Sequence, residues 1–377
     1  MVIALICDDS LNGLGIARSL QHAGAQLVVV ARPESVLGNS KLVDRVLEIS
    51  DLDAAPEAIE DFLRESSPSR VVPFPGSDRM LSTLASLAEE YPHMSFPDDP
   101  LDVSRFSSKV EQHRAADQAG LTTPNWSHFQ PGEPPIFSHL PAVVRPADRS
   151  ERPDVRAPLK VEFCRTQAEL SSSVEKLSAA GFSSIVTSEV EGEEQNLFTY
   201  GGYAFQGDVK AEFVGRKLWH TYPTRVAAVA ESVDDQAVRD YGRSFMKQTG
   251  LSGLFQVEVK RDERDGELYL IEMNQRNWLW GELASTCGVN LPKAKLWEEG
   301  ADCKLERPSD QQTGPQTDGI FVNEYGVLSN IWGYRSMAPL MFVMRSVFSS
   351  KQMNFALLRR RDLGPMISGV RSVGRGR

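Results

Sequence analysis

Cysteine is scarce in this chain of 377 residues, and the four that occur, Cys7, Cys164, Cys287 and Cys303, stand far apart. Without a CxxC spacing or neighbouring histidines they form neither a disulfide framework nor a zinc motif, and a reducing cytoplasm is the expected compartment. Long apolar runs are missing too. The longest late stretch, residues 338–344, is cut by Arg345 and falls short of the roughly 20 residues that a membrane-spanning helix needs. The opening MVIALICDDS has no basic leader and no cleavage pattern, and its apolar part has the length of one strand, so it is not expected to direct export. Positive charge is in deficit: a formal net charge of -10 argues against broad, nonspecific nucleic-acid binding, which needs a basic surface. Low-complexity tracts and internal repeats are absent, and hydrophobic and charged fractions of 41% and 24% are those of a globular chain rather than a disordered one. No Ser-His or Cys-His constellation stands out, so a covalent enzyme nucleophile is not indicated.

The length suffices for two to three packed units, which makes a nucleotide site between lobes available. Residues 2–7 read as a buried strand, followed by a glycine-containing turn, a helix carrying Ile16, Ala17, Leu20 and Ala23, and a second strand over 27–30. The alternation goes on with a helix over 56–65, a strand over 70–74 and a helix carrying Leu81, Leu84, Leu87 and Ala88. The first hundred residues are therefore expected to form a small α/β unit with a parallel sheet, bounded by PDDP at 97–100. A helix is expected over 107–119, closed by Gly120 and Pro124, and Thr166 with Glu169 makes a capping box for a helix that runs to Gly181. Strands are expected over 142–145 and 184–189, mostly strand over 195–214, and a helix over 234–249 that ends on Gly250. Two strands, 254–260 and 267–273, joined by a polar turn, read as an antiparallel hairpin.

That hairpin holds the most informative residues. Glu258 points opposite to Val257 and Val259 on the first strand, while Glu272 and Asn274 share one face of the second by the period of two. Three oxygen ligands can converge there. Such hard donors suit magnesium carrying phosphates, with waters and phosphate oxygens filling the remaining positions. Arg276, two residues on, would be poised to meet an anion beside the metal. Solvated strand-face glutamates are the competing reading of the same residues.

The sequence Glu258, then Glu272, Met273, Asn274, Gln275, Arg276, Trp278, Gly288, Leu291, Pro292 resembles the metal-binding end of ATP-grasp enzymes, with Gln275 where proline is usual. SSKVEQHRAADQAGLTTP resembles the first helix of their nucleotide domain, which makes Lys109 a phosphate-binding lysine. LPAVVRP resembles the strand that normally ends in lysine, a position held here by Arg145, which can pair bidentately with phosphate but does not replace lysine one for one. IVTSEVEGEE resembles the interlobe hinge, with Thr187 and Val190 near the adenine through their backbone and Glu194 at the ribose hydroxyls. GRKLWHTYP resembles a strand segment seen in a branch of the family, which would make Lys217 a second phosphate contact. The loop at 147–158 has no glycine, unlike the phosphate flap of the peptide-type ligases, and Lys160 would serve instead. NGLGIARSL and VVPFPGSD in the opening unit fit as well, so the resemblance spans roughly residues 1–300, nearest to carboxylate-amine ligases of the D-aspartate ligase-like kind.

The resemblance implies an α/β chain, α+β in its nucleotide lobes, with the ATP-grasp fold and an N-terminal Rossmann-like domain. That domain would take residues 1–104, the small lobe 105–188, the large lobe with the metal site 189–305 and a C-terminal extension with a basic tail 306–377. It implies an ATP-dependent ligase that converts a small carboxylic acid to an acyl phosphate and couples it to an amine. Magnesium, for which manganese can substitute, would bind Glu258, Glu272 and Asn274, and Arg276 and Lys217 would assist catalysis. The partners implied are a small carboxylate and an amine, with no nucleic acid; a homodimer stays open. An ATP-binding protein that does not turn over is the alternative, and a dinucleotide-dependent oxidoreductase is the remote one, since residues 12–15 lack the third glycine and the second strand ends without an acid for a ribose. Asp9, Asn12 and residues 77–79 are substrate-side candidates. His220 reads as structural or as a base, Trp278 and Trp280 as core or pocket, and Arg225 as surface or carboxylate contact. The segment 336–361 reads as a basic, amphipathic helix pair that packs on the body or, less readily, rests on an anionic membrane.

Overall fold

The computed structural model describes residues 2–66, 69–148, 155–222, 226–300, 312–313, 317–349, 351–359 and 362–368. The chain opens with strands β1 (Val2–Cys7), β2 (Gln26–Ala31), β3 (Arg45–Glu48) and β4 (Arg70–Pro75) in a parallel sheet of order β3-β2-β1-β4. Continuous apolar runs such as VIALIC and QLVVVA are what a parallel sheet covered on both faces requires. Helix α1 (Leu11–Ser19) covers one face, and α2 (Ala55–Ser66) and α3 (Asp78–Glu90) belong to the core on the other. Entry into α1 is tight: a Cβ on Gly13 would lie 2.1 Å from the Asp8 carbonyl oxygen, so this glycine serves a strand-to-helix turn.

Helices α4 (Pro100–Ser107) and α5 (Lys109–Gln118) lead into a four-stranded antiparallel sheet. Its strands are β5 (Trp126–Phe129), β6 (Ala142–Pro146), β7 (Glu162–Cys164) and β8 (Ser184–Ser188), in the order β5-β8-β6-β7. Helix α6 (Gln167–Ala179) packs on it, begun by the Thr166–Glu169 capping box, and Val144, Leu170, Leu177 and Phe182 share a core of their own. With four strands against the eight of the sheet that follows, this is the smaller of the two lobes after the opening unit, and is called the small lobe below.

The large sheet follows: β9 (Leu197–Phe205), β10 (Asp208–His220), β11 (Ala227–Ser232), β12 (Gly253–Arg261), β13 (Leu268–Asn274), β14 (Gln312–Thr313), β15 (Gly319–Val322) and β16 (Gln352–Phe355). Its order is β13-β12-β9-β10-β11-β15-β16, with β14 beside β10. Helix α7 (Gln236–Thr249) backs one face with Val238, Phe245 and Met246 against Tyr200 and Val257. On the other face α8 (Glu282–Thr286) and α9 (Leu291–Gly300) lie between the large sheet and the opening unit. Leu14, Ile16 and Phe74 of that unit share one apolar cluster with Trp278, Trp280 and Leu283, so the two bodies have a single core. Helices α10 (Glu324–Gly333) and α11 (Ala338–Ser346) cover the β11–β15–β16 end.

Several elements differ from the sequence-based reading. The expected helix 107–119 is shorter and preceded by α4, which Asp99 caps by accepting from the Leu101 N–H at 2.8 Å and which Pro100 opens. β3, β5, β7, β11, β14 and β15 and helices α8, α9 and α10 were not expected. The helix pair expected over 336–361 is one helix, α11, followed by β16, whose four residues pair in parallel with β15.

Candidate active site

Glu258 and Glu272 are direct partners across the β12–β13 hairpin, as are Gln256 and Asn274. Cross-strand partners point the same way and residues two apart on a strand share a face, so all four side chains lie on one side of the sheet. The row continues inward, with Glu258 opposite Thr199 on β9 and Thr199 opposite Gly215 on β10. Two residues beyond Gly215, Lys217 pairs its ammonium with Glu258 Oε1. Glu272 meets a second ammonium, with Lys109 Nζ 3.6 Å from its Oε2. Glu258 is buried and Lys217 nearly so, which strengthens their attraction relative to a surface pair.

β13 is the edge strand of the large sheet, so alternate backbone groups on its outer side have no strand to pair with. The small lobe supplies the partners. Gln112 of α5, buried, donates from Nε2 to the Met273 carbonyl at 3.0 Å and to the Phe106 carbonyl at 2.8 Å, and the Met273 N–H donates to its Oε1 at 2.8 Å. Arg145 of β6 donates from one terminal nitrogen to the Ile271 carbonyl at 2.8 Å. Lys109 opens α5 one turn before Gln112, and its N–H donates to the Ala147 carbonyl at 2.9 Å. This clasp sets two cations, Lys109 and Arg145, against the carboxylate pair.

Arg145 is buried, and its Nε has no protein partner. Burial pulls its pKa down while Glu272 and Glu258 hold it up. A guanidinium remains charged under such conditions, so a spare buried donor sits beside the two carboxylates, the arrangement an anionic oxygen would complete. His113 is not an acid or base for this site: burial, then the charge of Arg145, push its pKa down to about 3, and its Nδ1 is bonded to the Lys109 carbonyl at 2.8 Å.

The donor set fits magnesium rather than zinc. Two carboxylates and an amide oxygen are hard donors, and the nearby cations leave room for a polyphosphate whose charge exceeds that of the metal. Among the described residues no group of three or more His, Cys, Asp or Glu side chains converges as an all-protein metal cage would. Asn274 is held by its neighbours, donating to Gln256 Oε1 at 3.2 Å and accepting from Arg276 at 3.1 Å.

Arg276 also donates from Nε to Asp78 Oδ1 at 2.9 Å, which ties the end of β13 to the start of α3 in the opening unit. Beside that tie lies a cleft of about 800 Å³, walled by Ser77, which caps α3, and Asp78 and Arg79 of that helix on one side and by Lys109, Arg156 and Lys160 on the other. Lys160 is exposed on that wall. Thr187 is buried within β8, and the Val190 carbonyl accepts from Lys260 Nζ at 2.8 Å. Glu194 binds the end of β10, accepting from the His220 N–H at 3.2 Å and pairing with its imidazole Nδ1, so His220 is positioned as a structural residue.

Other candidates lie away from the chemistry. Asn12 donates to Asp8 at 2.7 Å and accepts from Asn277 at 2.7 Å, and Asp9 pairs with Arg32, so both are engaged by neighbouring side chains and neither lines the cleft. Trp278 and Trp280 are core residues: both are buried, they meet edge to face at 5.8 Å, and a Cβ on Gly201 or Gly215 would lie 2.1 Å from the first ring or 2.6 Å from the second. Arg225 and residues 149–154 of the glycine-free loop lie outside the described residues. Sequence reasoning missed Gln256, although the same alternation that singled out Glu258 assigns it to the same face. It also missed Gln112 and Arg156, for which no local pattern exists.

No family model and no curated protein matches this sequence. Solved structures do. An ADP complex of N5-carboxyaminoimidazole ribonucleotide synthetase superposes with a TM-score of 0.65 at 15% identity, over 92% of this chain and 85% of that one. The chain has the ATP-grasp fold. An L-amino acid ligase from Bacillus licheniformis superposes on the same ATP-grasp frame with a TM-score of 0.64 at 17% identity, over 85% of this chain and 78% of that one. The biotin carboxylase domain dimer of the Hydrogenobacter thermophilus 2-oxoglutarate carboxylase, in complex with MgADP, ADP and bicarbonate, gives a TM-score of 0.62 at 16% identity, over 84% of this chain and 73% of that one. Identities this low speak for the ATP-grasp architecture alone. No helix among the described residues is long and apolar enough to cross a membrane.

Proposed function

We propose that the protein is an ATP-dependent ligase that activates a small carboxylic acid, an amino acid or similar, as an acyl phosphate and joins it to an amine. The observation that carries this reading is the single sheet face on which Glu258, Glu272 and Asn274 meet Lys109, Lys217 and Arg145. Three oxygen donors and three cations at one place suit the transfer of a polyphosphate's terminal group, where catalysis consists of positioning and charge neutralisation.

ATP would lie between the small lobe and the large sheet, with its adenine along the backbone of Thr187 and Val190, its ribose toward Glu194 and its phosphates toward Lys109, Arg145, Lys160 and Lys217. Magnesium, or manganese in its place, would be held by Glu258, Glu272 and Asn274 and would neutralise the phosphate oxygens. A carboxylate oxygen of the acid attacks the γ-phosphorus, and the bond to ADP breaks. The amine nitrogen then attacks the acyl carbon, the bond to phosphate breaks, and the amine proton passes to solvent or phosphate. Arg276, beside the cleft that α3 walls, steadies the acyl phosphate and excludes water from it. A cytoplasmic enzyme, as a homodimer or a monomer, fits this reading.

The test is release of ADP by the purified protein across a panel of free amino acids and amines. Release that needs both an acid and an amine, and that falls to background in Glu272→Gln, is the expected result. Undiminished turnover in that variant removes the metal assignment, and ATP binding without ADP release on any pair removes the ligase reading.

A further inference from the structure

Helix α11 has two apolar faces. Its inner face, Pro339 and Val343 with Ser346, is buried, and Val343 packs in a cluster with Leu218, Val229 and Ile320 of the large sheet. Its outer face carries Met341 and Met344, and Met337, which precedes the helix, and Phe348, in the turn after it, extend the same spacing of i, i+4, i+7 and i+11. These side chains are exposed, Phe348 by 90% and Met344 by 59%. Trp332, at the end of the neighbouring α10, is exposed by 78%. A helix apolar all round belongs in a core, and a contiguous outward stripe marks a contact surface.

Charge tells what the surface meets. From residue 325 to residue 361 the sequence has six arginines and lysines and no aspartate or glutamate, in a chain of net charge -10. Arg335 and Arg345, both exposed, flank the stripe without an ion pair among the described residues, whereas Lys351 and Arg359 pair with Glu231 and Glu282. A second copy of the chain docked by a two-fold axis would bring these cationic rims together, which opposes association. Methionines, a phenylalanine and a tryptophan flanked by two exposed arginines suit the boundary between acyl chains and phosphate headgroups.

We infer that α11 and the end of α10 dock the protein reversibly on an anionic membrane surface. The apolar stripe enters the acyl boundary, and Arg335 and Arg345 meet lipid phosphates. The sheet order supports this orientation, because the carboxylate pair lies at the β13 end and α11 covers the β16 end, so docking leaves the cleft open. The inference goes beyond the ligase reading and does not depend on it.

The test is sedimentation of the full chain with vesicles of mixed phosphatidylglycerol and phosphatidylcholine and with vesicles of phosphatidylcholine alone. Binding to the mixed vesicles is expected, weakening as salt rises. The double variant Met341→Ser, Phe348→Ser and the variant Arg345→Glu should each lower the partition coefficient about tenfold or more, with circular dichroism and melting temperature unchanged. Failure to bind mixed vesicles overturns the inference, as does equal binding to both kinds or to the Arg345→Glu variant. A dimer in light scattering that the double variant dissolves also overturns it and assigns the stripe to a second copy.

Discussion

Replacing Gln112 with methionine keeps the volume of a buried side chain and removes its hydrogen bonds, which makes it the sharpest test of how the lobes are joined. Three bonds of 2.8–3.0 Å disappear, and the Met273 N–H and C=O at the sheet edge and the Phe106 carbonyl lose a partner in a buried place. Each such bond contributes about 1 kcal/mol net, so a loss of about 3 kcal/mol is the minimum expected, and more where the buried groups stay unpaired. Functionally, the substitution should loosen α5 and with it Lys109, whose ammonium faces Glu272. Urea unfolding monitored by tryptophan fluorescence, together with calorimetric titration of ATP and magnesium, measures both. The variant should unfold at lower urea and bind ATP more weakly, while residual activity at saturating ATP persists. An unchanged unfolding midpoint would refute the clasp. A lowered midpoint with unchanged ATP affinity would show that Lys109 does not depend on it.

Two further outcomes are specific. Asp98 accepts from the Ser252 N–H at 2.7 Å, and burial raises its pKa to about 6; the folded state then holds a proton that the unfolded chain has released, so stability falls as pH rises from about 4 to about 6. Asp98→Asn should remove that slope and add roughly 2–3 kcal/mol at neutral pH, read as melting temperature against pH; parallel curves for the two proteins would count against it. Gly201→Ala forces a methyl against the Trp278 ring, where the Cβ would lie 2.1 Å from the nearest atom, and should cost about 1–3 kcal/mol as an overpacked core does, with a wild-type thermal melt as the contrary result.

The hairpin with its carboxylates was legible because a period of two is a local signal, and Glu258 and Glu272 needed only the pairing of adjacent strands to meet. The capping box at Thr166 was legible for the same reason. Helix α4 was readable but misread, since Asp99 and Pro100 are a cap and a first turn as much as a boundary. Lys217 and Gln112 are different cases. Lys217 reaches Glu258 across β9, and Gln112 serves a strand 161 residues later, so neither contact has a trace in its own neighbourhood. β16 likewise exists only because β15 offers an edge to QMNF, and a local reading of that segment as helix had nothing to oppose it.

The continuous core beneath Trp278 and Trp280 also fixes what is free to move. Prying the opening unit from the large sheet would bare Leu14, Ile16 and Leu283 to water, whereas the four-stranded sheet with α6 has a core of its own, and α5 is fastened to the large sheet by Ala115 and Ala116 as well as by its polar clasp. Ligand entry and exit are therefore expected to move the four-stranded sheet against a two-part anvil, and a bolt across the opening unit and the large sheet should leave turnover untouched while one through that sheet stops it.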